Sequence, residues 1–110
     1  MSKREQMARL SQLAGLILDV KLTDLHAAAR SRQESLDRLA GLEATPATDL
    51  PEIAAAQAGL LYERWAEARR AEINLTLARQ TAAWLDLQAE ARQAFGRSDV
   101  LQRLRDGSTA

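Results

Sequence analysis

Only two prolines occur in this chain, Pro46 and Pro51, and both stand near its middle. Proline removes a backbone donor and clashes with the preceding turn, so the long proline-free runs on either side are open to helix while the short segment between them is not. A chain of 110 residues divided in this way fits one domain made of two helices and a bend, with only a modest core. The residue alphabet agrees. Hydrophobic residues, mostly Ala and Leu, make up 46% and aromatics only 4%, a composition that favours helix and is poor for sheet. No strand is expected.

The first run carries its own start signal. Ser2 followed by Glu5 has the spacing of a capping box, in which the hydroxyl accepts from an early helical N–H and the carboxylate reaches back to the cap. Beyond it Leu18, Leu22, Leu25, Ala29, Arg32, Leu36 and Leu39 step by four and three, the spacing of a coiled-coil seam. Upstream, Leu10, Leu13, Ala14, Leu16, Ile17, Leu18 and Val20 cover more than one narrow stripe, which predicts a second contact surface on this part of the helix. Gly41 is a plausible stop, giving a first helix over about 3–42.

Residues 43–49 read as a loop, because Thr45 precedes Pro46 and is pushed out of the α region. Asp49 with Glu52 repeats the capping-box spacing, and Pro51 in a first turn gives up an N–H that would lack a partner there anyway. A second helix over about 50–95 follows. Its stripe runs through Leu61, Trp65 and Ala68, then resumes one residue out of phase as Ile73, Leu77, Gln80, Trp84, Leu87, Ala91 and Ala94, a shift that would locally alter the winding. The two helices would be roughly 60 and 70 Å long, and the short connection makes them antiparallel neighbours. After Phe95, the segment Gly96, Arg97, Ser98, Asp99 offers either a helix end with Ser98 capping a short third helix over about 99–105, or a mild kink in a continuous helix. Residues 106–110 should fray. The expected fold is all-α: an antiparallel two-helix coiled-coil hairpin with a short C-terminal helical extension.

Composition narrows the function classes. Lys plus Arg and Asp plus Glu both number 15, so the basic surplus that nucleic-acid binding draws on is missing. With no Cys and a single His, neither disulfides nor the usual thiolate or histidine metal sites can form. The uncharged apolar stretch over 10–18 falls well short of the ~20 residues a bilayer span needs. Met1 to Gln6 begins like a secretory leader, yet no small-residue cleavage site follows and Asp19 closes the apolar run. The chain is expected to be soluble and cytoplasmic, and Asn74-Leu75-Thr76 is then a chance match to the glycosylation sequon.

Candidate sites are few. His26, between Leu25 and three alanines, has no partner at metal-ligand spacing. Glu63, Glu67 and Glu72 alternating with Arg64, Arg69 and Arg70 have the look of a solvated helix face. No phosphate loop, nucleophile elbow or His–carboxylate pair exists, so no enzyme activity, cofactor or metal is expected. Trp65, Trp84 and Phe95 are too large for a narrow two-helix seam to enclose fully. Aromatic and Arg side chains are also the usual anchors of protein interfaces. The predicted interface is therefore Arg64, Trp65, Arg69 and Arg70 with Arg92, Phe95 and Arg97.

A cysteine-free pair of long helices, with Arg9-Leu-Ser-Gln-Leu-Ala-Gly-Leu16 near its start and a tryptophan-bearing, Arg-rich second arm, resembles the FliJ family of small cytoplasmic coiled-coil proteins of the bacterial flagellar type III export apparatus. The resemblance spans about residues 7–95. It implies a stalk, similar in form to the shaft of rotary ATPases, that inserts into the hexameric export ATPase and touches the export gate. Two other roles fit the same pattern: a helical adaptor or secretion chaperone that binds a client helix, and a structural coiled coil that self-associates through the apolar face at 10–20.

Overall fold

The computed structural model describes residues 2–43 and 48–107. They form two α-helices, α1 over Lys3–Ala40 and α2 over Glu52–Gly107, and among the described residues there is no strand. The loop expected at 43–49 falls partly outside the described residues, and so does the fraying end after Gly107.

Local chemistry accounts for the helix ends. The Glu5 N–H donates to Ser2 Oγ at 3.2 Å, so the predicted cap forms. At the far end of α1 the bonding tightens: the Leu42 N–H donates to the Leu39 carbonyl and the Glu43 N–H to the Ala40 carbonyl. These three-residue steps are a common way to satisfy the last carbonyls of a helix. Gly41 takes no left-handed conformation here. In α2 the Pro51 carbonyl accepts the first helical bond, from the Ala55 N–H at 2.8 Å.

The chain divides into two compact units. One joins α1 up to Arg30 with α2 from Ala82 onward, and the other is Ser31–Thr81. In the first, Lys21 Nζ lies 3.7 Å from Glu90 Oε2, and Leu10 and Leu13 share a groove with Val100 and Leu101. In the second, Arg32 Nε donates to Thr81 Oγ1 at 3.0 Å, Ser35 Oγ donates to Gln80 Oε1, and Tyr62 Oη donates to the Leu42 carbonyl at 3.0 Å. Within each unit, rising numbers on α1 meet falling numbers on α2. The fold is the expected all-α, antiparallel helical hairpin.

The register departs from expectation in two places. The inward residues of α1 are Ser11, Ala14, Leu18, Lys21, Leu25 and Ala28, continuing as Arg32, Ser35, Leu39 and Leu42. That is an unbroken heptad stripe, but alternate members differ from the predicted ones. Lys21 replaces Leu22, Ala28 is the seam alanine beside Ala29, and Ser35, 1% exposed, lies deeper than its neighbour Leu36. On α2 the expected stripe from Ile73 to Ala94 holds, whereas Leu61 and Trp65 are 65% and 56% exposed and Ala68 is exposed. Their places are taken by Tyr62 and by Ala66, which is fully buried. Ala66 lies in phase with Ile73, while Tyr62 stands one residue early, so the predicted change of phase is present but falls between Tyr62 and Ala66. At Ser11, Ala14, Ser35 and Ala66 the small side chain is the deeply buried one, and its larger apolar neighbours Leu10, Leu13, Leu36 and Trp65 stand nearer the flanks.

Of the two readings open at 96–99, the continuous helix is found and the separate short helix over 99–105 is not. α2 runs through Gly96 without a break. Ala94 and Ser98, on either side of that glycine, are 6% and 5% exposed, so packing against α1 offsets a glycine cost of about 1 kcal/mol. Ser98, expected as a cap, is instead a seam residue. One turn on, Arg103 Nε meets Asp99 Oδ2 at 3.1 Å.

Candidate functional site

The inner stripe consumes only part of the apolar surface of α1. In the first unit Leu10, Leu13 and Ile17 point away from it and are 50%, 56% and 53% exposed. Across from them on α2, Val100 is 54% exposed and Leu101 half-buried. With the edges of Ala14 and Ala94 as floor and Gln93, Gly96 and Arg97 as rim, these side chains line an open groove of about 730 Å³. A second, smaller depression of about 230 Å³ continues along α1 past Leu16 and Val20. Helix periodicity builds the site: residues 10, 13, 17 and 20 recur at the spacing of a stripe beside, and outside, the filled seam. Gly96 matters here for what it lacks, since no heavy atom lies within 4 Å of where its Cβ would be, and the groove stays open above it.

The groove lining is Leu, Ile, Val, Ala and Gly with one Gln and one Arg. Such a surface carries no nucleophile and no acid–base pair; what it offers is burial of apolar side chains. Monomeric proteins seldom expose contiguous apolar area without a partner for it. Among the described residues no cluster of three or more His, Cys, Asp or Glu is placed to hold a metal ion, and no helix is long and apolar enough to cross a membrane.

The predicted interface residues fall into two sets, one per unit. Arg64, Trp65, Arg69 and Arg70 belong to the second. There Trp65 stacks obliquely on Tyr62, ring centroids 5.7 Å apart. Arg69 Nη1 pairs with Glu72 at 2.9 Å, and Arg70 Nη1 with Glu63 at 3.5 Å. Two of the four side chains are thus occupied by carboxylates of their own helix. Arg92, Phe95 and Arg97 belong to the first unit; Phe95 is 61% exposed, and only Arg97 of the seven lines the groove. Trp84 is half-buried in the seam, while His26 and Asn74 are exposed. In the second unit the Arg32–Thr81 and Ser35–Gln80 bonds cross from one helix to the other. Among the described residues no fully buried side-chain nitrogen or oxygen lacks a hydrogen-bond partner.

Two contributions escaped the sequence. Tyr62 is masked in the sequence by the more apolar spacing of Leu61 and Trp65. Val100 and Leu101 are apolar in the sequence, but Gly96 leaves open whether they continue α2. Comparison with models of known protein families, with characterised proteins and with solved structures gives no match.

Proposed function

We propose that this chain is a non-catalytic protein-binding module, a helical hairpin that receives an apolar helix of a protein partner in the groove of its first unit. The observation that carries the reading is the groove itself, where half-exposed Leu10, Leu13, Ile17 and Val100 converge from two helices around about 730 Å³ of unfilled space. Amphipathic helices dock in this way, laying residues at helical spacing into a cleft between two others. The lining supports binding over catalysis because its side chains can exclude water but cannot move a proton. Arg97 in the lining supplies a residue type that commonly anchors such contacts.

A stalk or adaptor on the flagellar export ATPase and export gate, acting in the cytoplasm, is the specific form of this reading that the FliJ resemblance implies. The reading is tested by affinity capture with the full chain, offering the hexameric export ATPase and the gate protein as baits alongside cell extract. Leu13→Asp and Ile17→Asp place a charge in the groove without touching the seam, and they should lower capture of a specific partner at least tenfold while leaving the helical circular dichroism signal unchanged. Capture that ignores these changes and is lost with Arg69→Ala plus Arg70→Ala would move the interface to the second unit.

A further inference from the structure

We infer that the helix received by this groove is α1 of a second copy of the chain, seated antiparallel about a twofold axis. The inference rests on the groove being a protein-binding surface, as proposed above, and adds the identity of the partner.

The first argument is periodicity. Residues Leu10, Leu13, Ile17 and Val20 step by three, four and three, as do the seam residues Ser11, Ala14, Leu18 and Lys21 beside them. A heptad stripe is the mark of a helix with another helix running alongside, knobs of one entering holes of the other. On this segment α2 fills the inner stripe, and the outer one is open. Two antiparallel copies of the outer stripe are self-complementary: with Leu10 set against Val20 of the other copy, Leu13 falls against its Ile17, and the same contacts recur on the far side of the axis. That reciprocity is what a closed twofold interface requires.

The second argument is charge. On the N-terminal side of the apolar run stand Lys3, Arg4 and Arg9 with one anion, Glu5; on its C-terminal side stand Asp19 and Asp24, and the cation between them, Lys21, faces Glu90. One end of the stripe is therefore positive and the other negative. An antiparallel second copy sets each positive end against a negative one, whereas a parallel copy would oppose like charges. An unrelated apolar helix would have no reason to match both ends.

The third argument sets the strength. Burying a large aliphatic side chain removes roughly 60–120 Å² of apolar surface. Leu10, Leu13, Leu16, Ile17, Val20 and Val100 have about half of theirs left to bury, so two copies together lose on the order of 500 Å² of apolar area. Specific stable interfaces begin near ~1,200 Å² in total, a little over half of it apolar. The dimer thus falls below that range, among the weak, reversible associations that concentration and salt shift.

Sedimentation equilibrium of the full chain over a wide concentration range tests this. The mass should rise from 12.1 kDa towards twice that value, and less steeply at high salt. Ile17→Asp should hold the chain monomeric, while Leu61→Asp, an exposed position in the second unit, should not. Lys3→Glu with Arg4→Glu should weaken the dimer at least fivefold, although an acidic first turn favours the helix itself; adding Asp24→Lys should restore it, which a parallel pairing or an unrelated loss of structure would not produce. A chain that stays monomeric throughout overturns the inference, and so does a dimer indifferent to Ile17→Asp or unrestored by Asp24→Lys. If the monomer still captures a different protein, and loses it with Ile17→Asp, the groove remains a binding site and only the identity of its occupant is wrong.

Discussion

Tyr62, near the start of α2, holds the turn that leaves α1. Its hydroxyl donates to the carbonyl of Leu42, in the turn that follows α1, at 3.0 Å, and Leu42 itself is 7% exposed. Tyr62→Phe keeps the ring and deletes the donor, so urea unfolding should record a loss of about 0.5–1.5 kcal/mol; an unchanged midpoint would mean that water serves the carbonyl equally well. Gly96 makes the opposite kind of prediction. It lies inside a continuous helix with open space around its missing Cβ, so Gly96→Ala should stabilise the chain by about 0.5–1 kcal/mol in the same measurement. A destabilised variant would indicate that the helix does end there, as the sequence suggests.

At the scale of the element, the register of α2 is the feature most open to trial. Ala66 is wholly buried and Ala68 exposed, so Ala66→Leu should force the helices apart at a cost of about 1–3 kcal/mol, while Ala68→Leu should change thermal stability by less than about 0.5 kcal/mol. The reverse order would restore the register expected from the sequence. That register failed for an identifiable reason. The existence of both helices, their antiparallel sense and the cap at Ser2 were legible from proline placement, capping spacing and periodicity. Which residues turn inward was not, because pattern reading ranks positions by hydrophobicity, and Leu22, Leu61 and Trp65 outrank Lys21, Tyr62 and Ala66. A close seam selects by size instead, and it tolerates Ser35 and Arg32 where a hydrogen-bond partner stands opposite.

For the molecule as a whole, half of the groove was readable: the apolar breadth of residues 10–20 announced a second surface on α1. Its other wall was not, since the sequence around Gly96 left a helix end and a continuous helix both open, and burial of Ala94 and Ser98 goes with the continuous one. The aromatic and Arg residues chosen as interface anchors have the right chemistry, but in the second unit Arg69 and Arg70 are paired within α2, and such exposed pairs are each worth only about 0–1 kcal/mol. In the proposed role the chain acts through the groove of its first unit. Site-specific photo-crosslinking in living cells tests it most directly, with the photoreactive residue placed at Leu13 in one strain and at Ala68 in another. The Leu13 probe should give intermolecular adducts whose attached peptide is an apolar helical segment, and the Ala68 probe should give few; adducts from Ala68 with none from Leu13 would contradict the account.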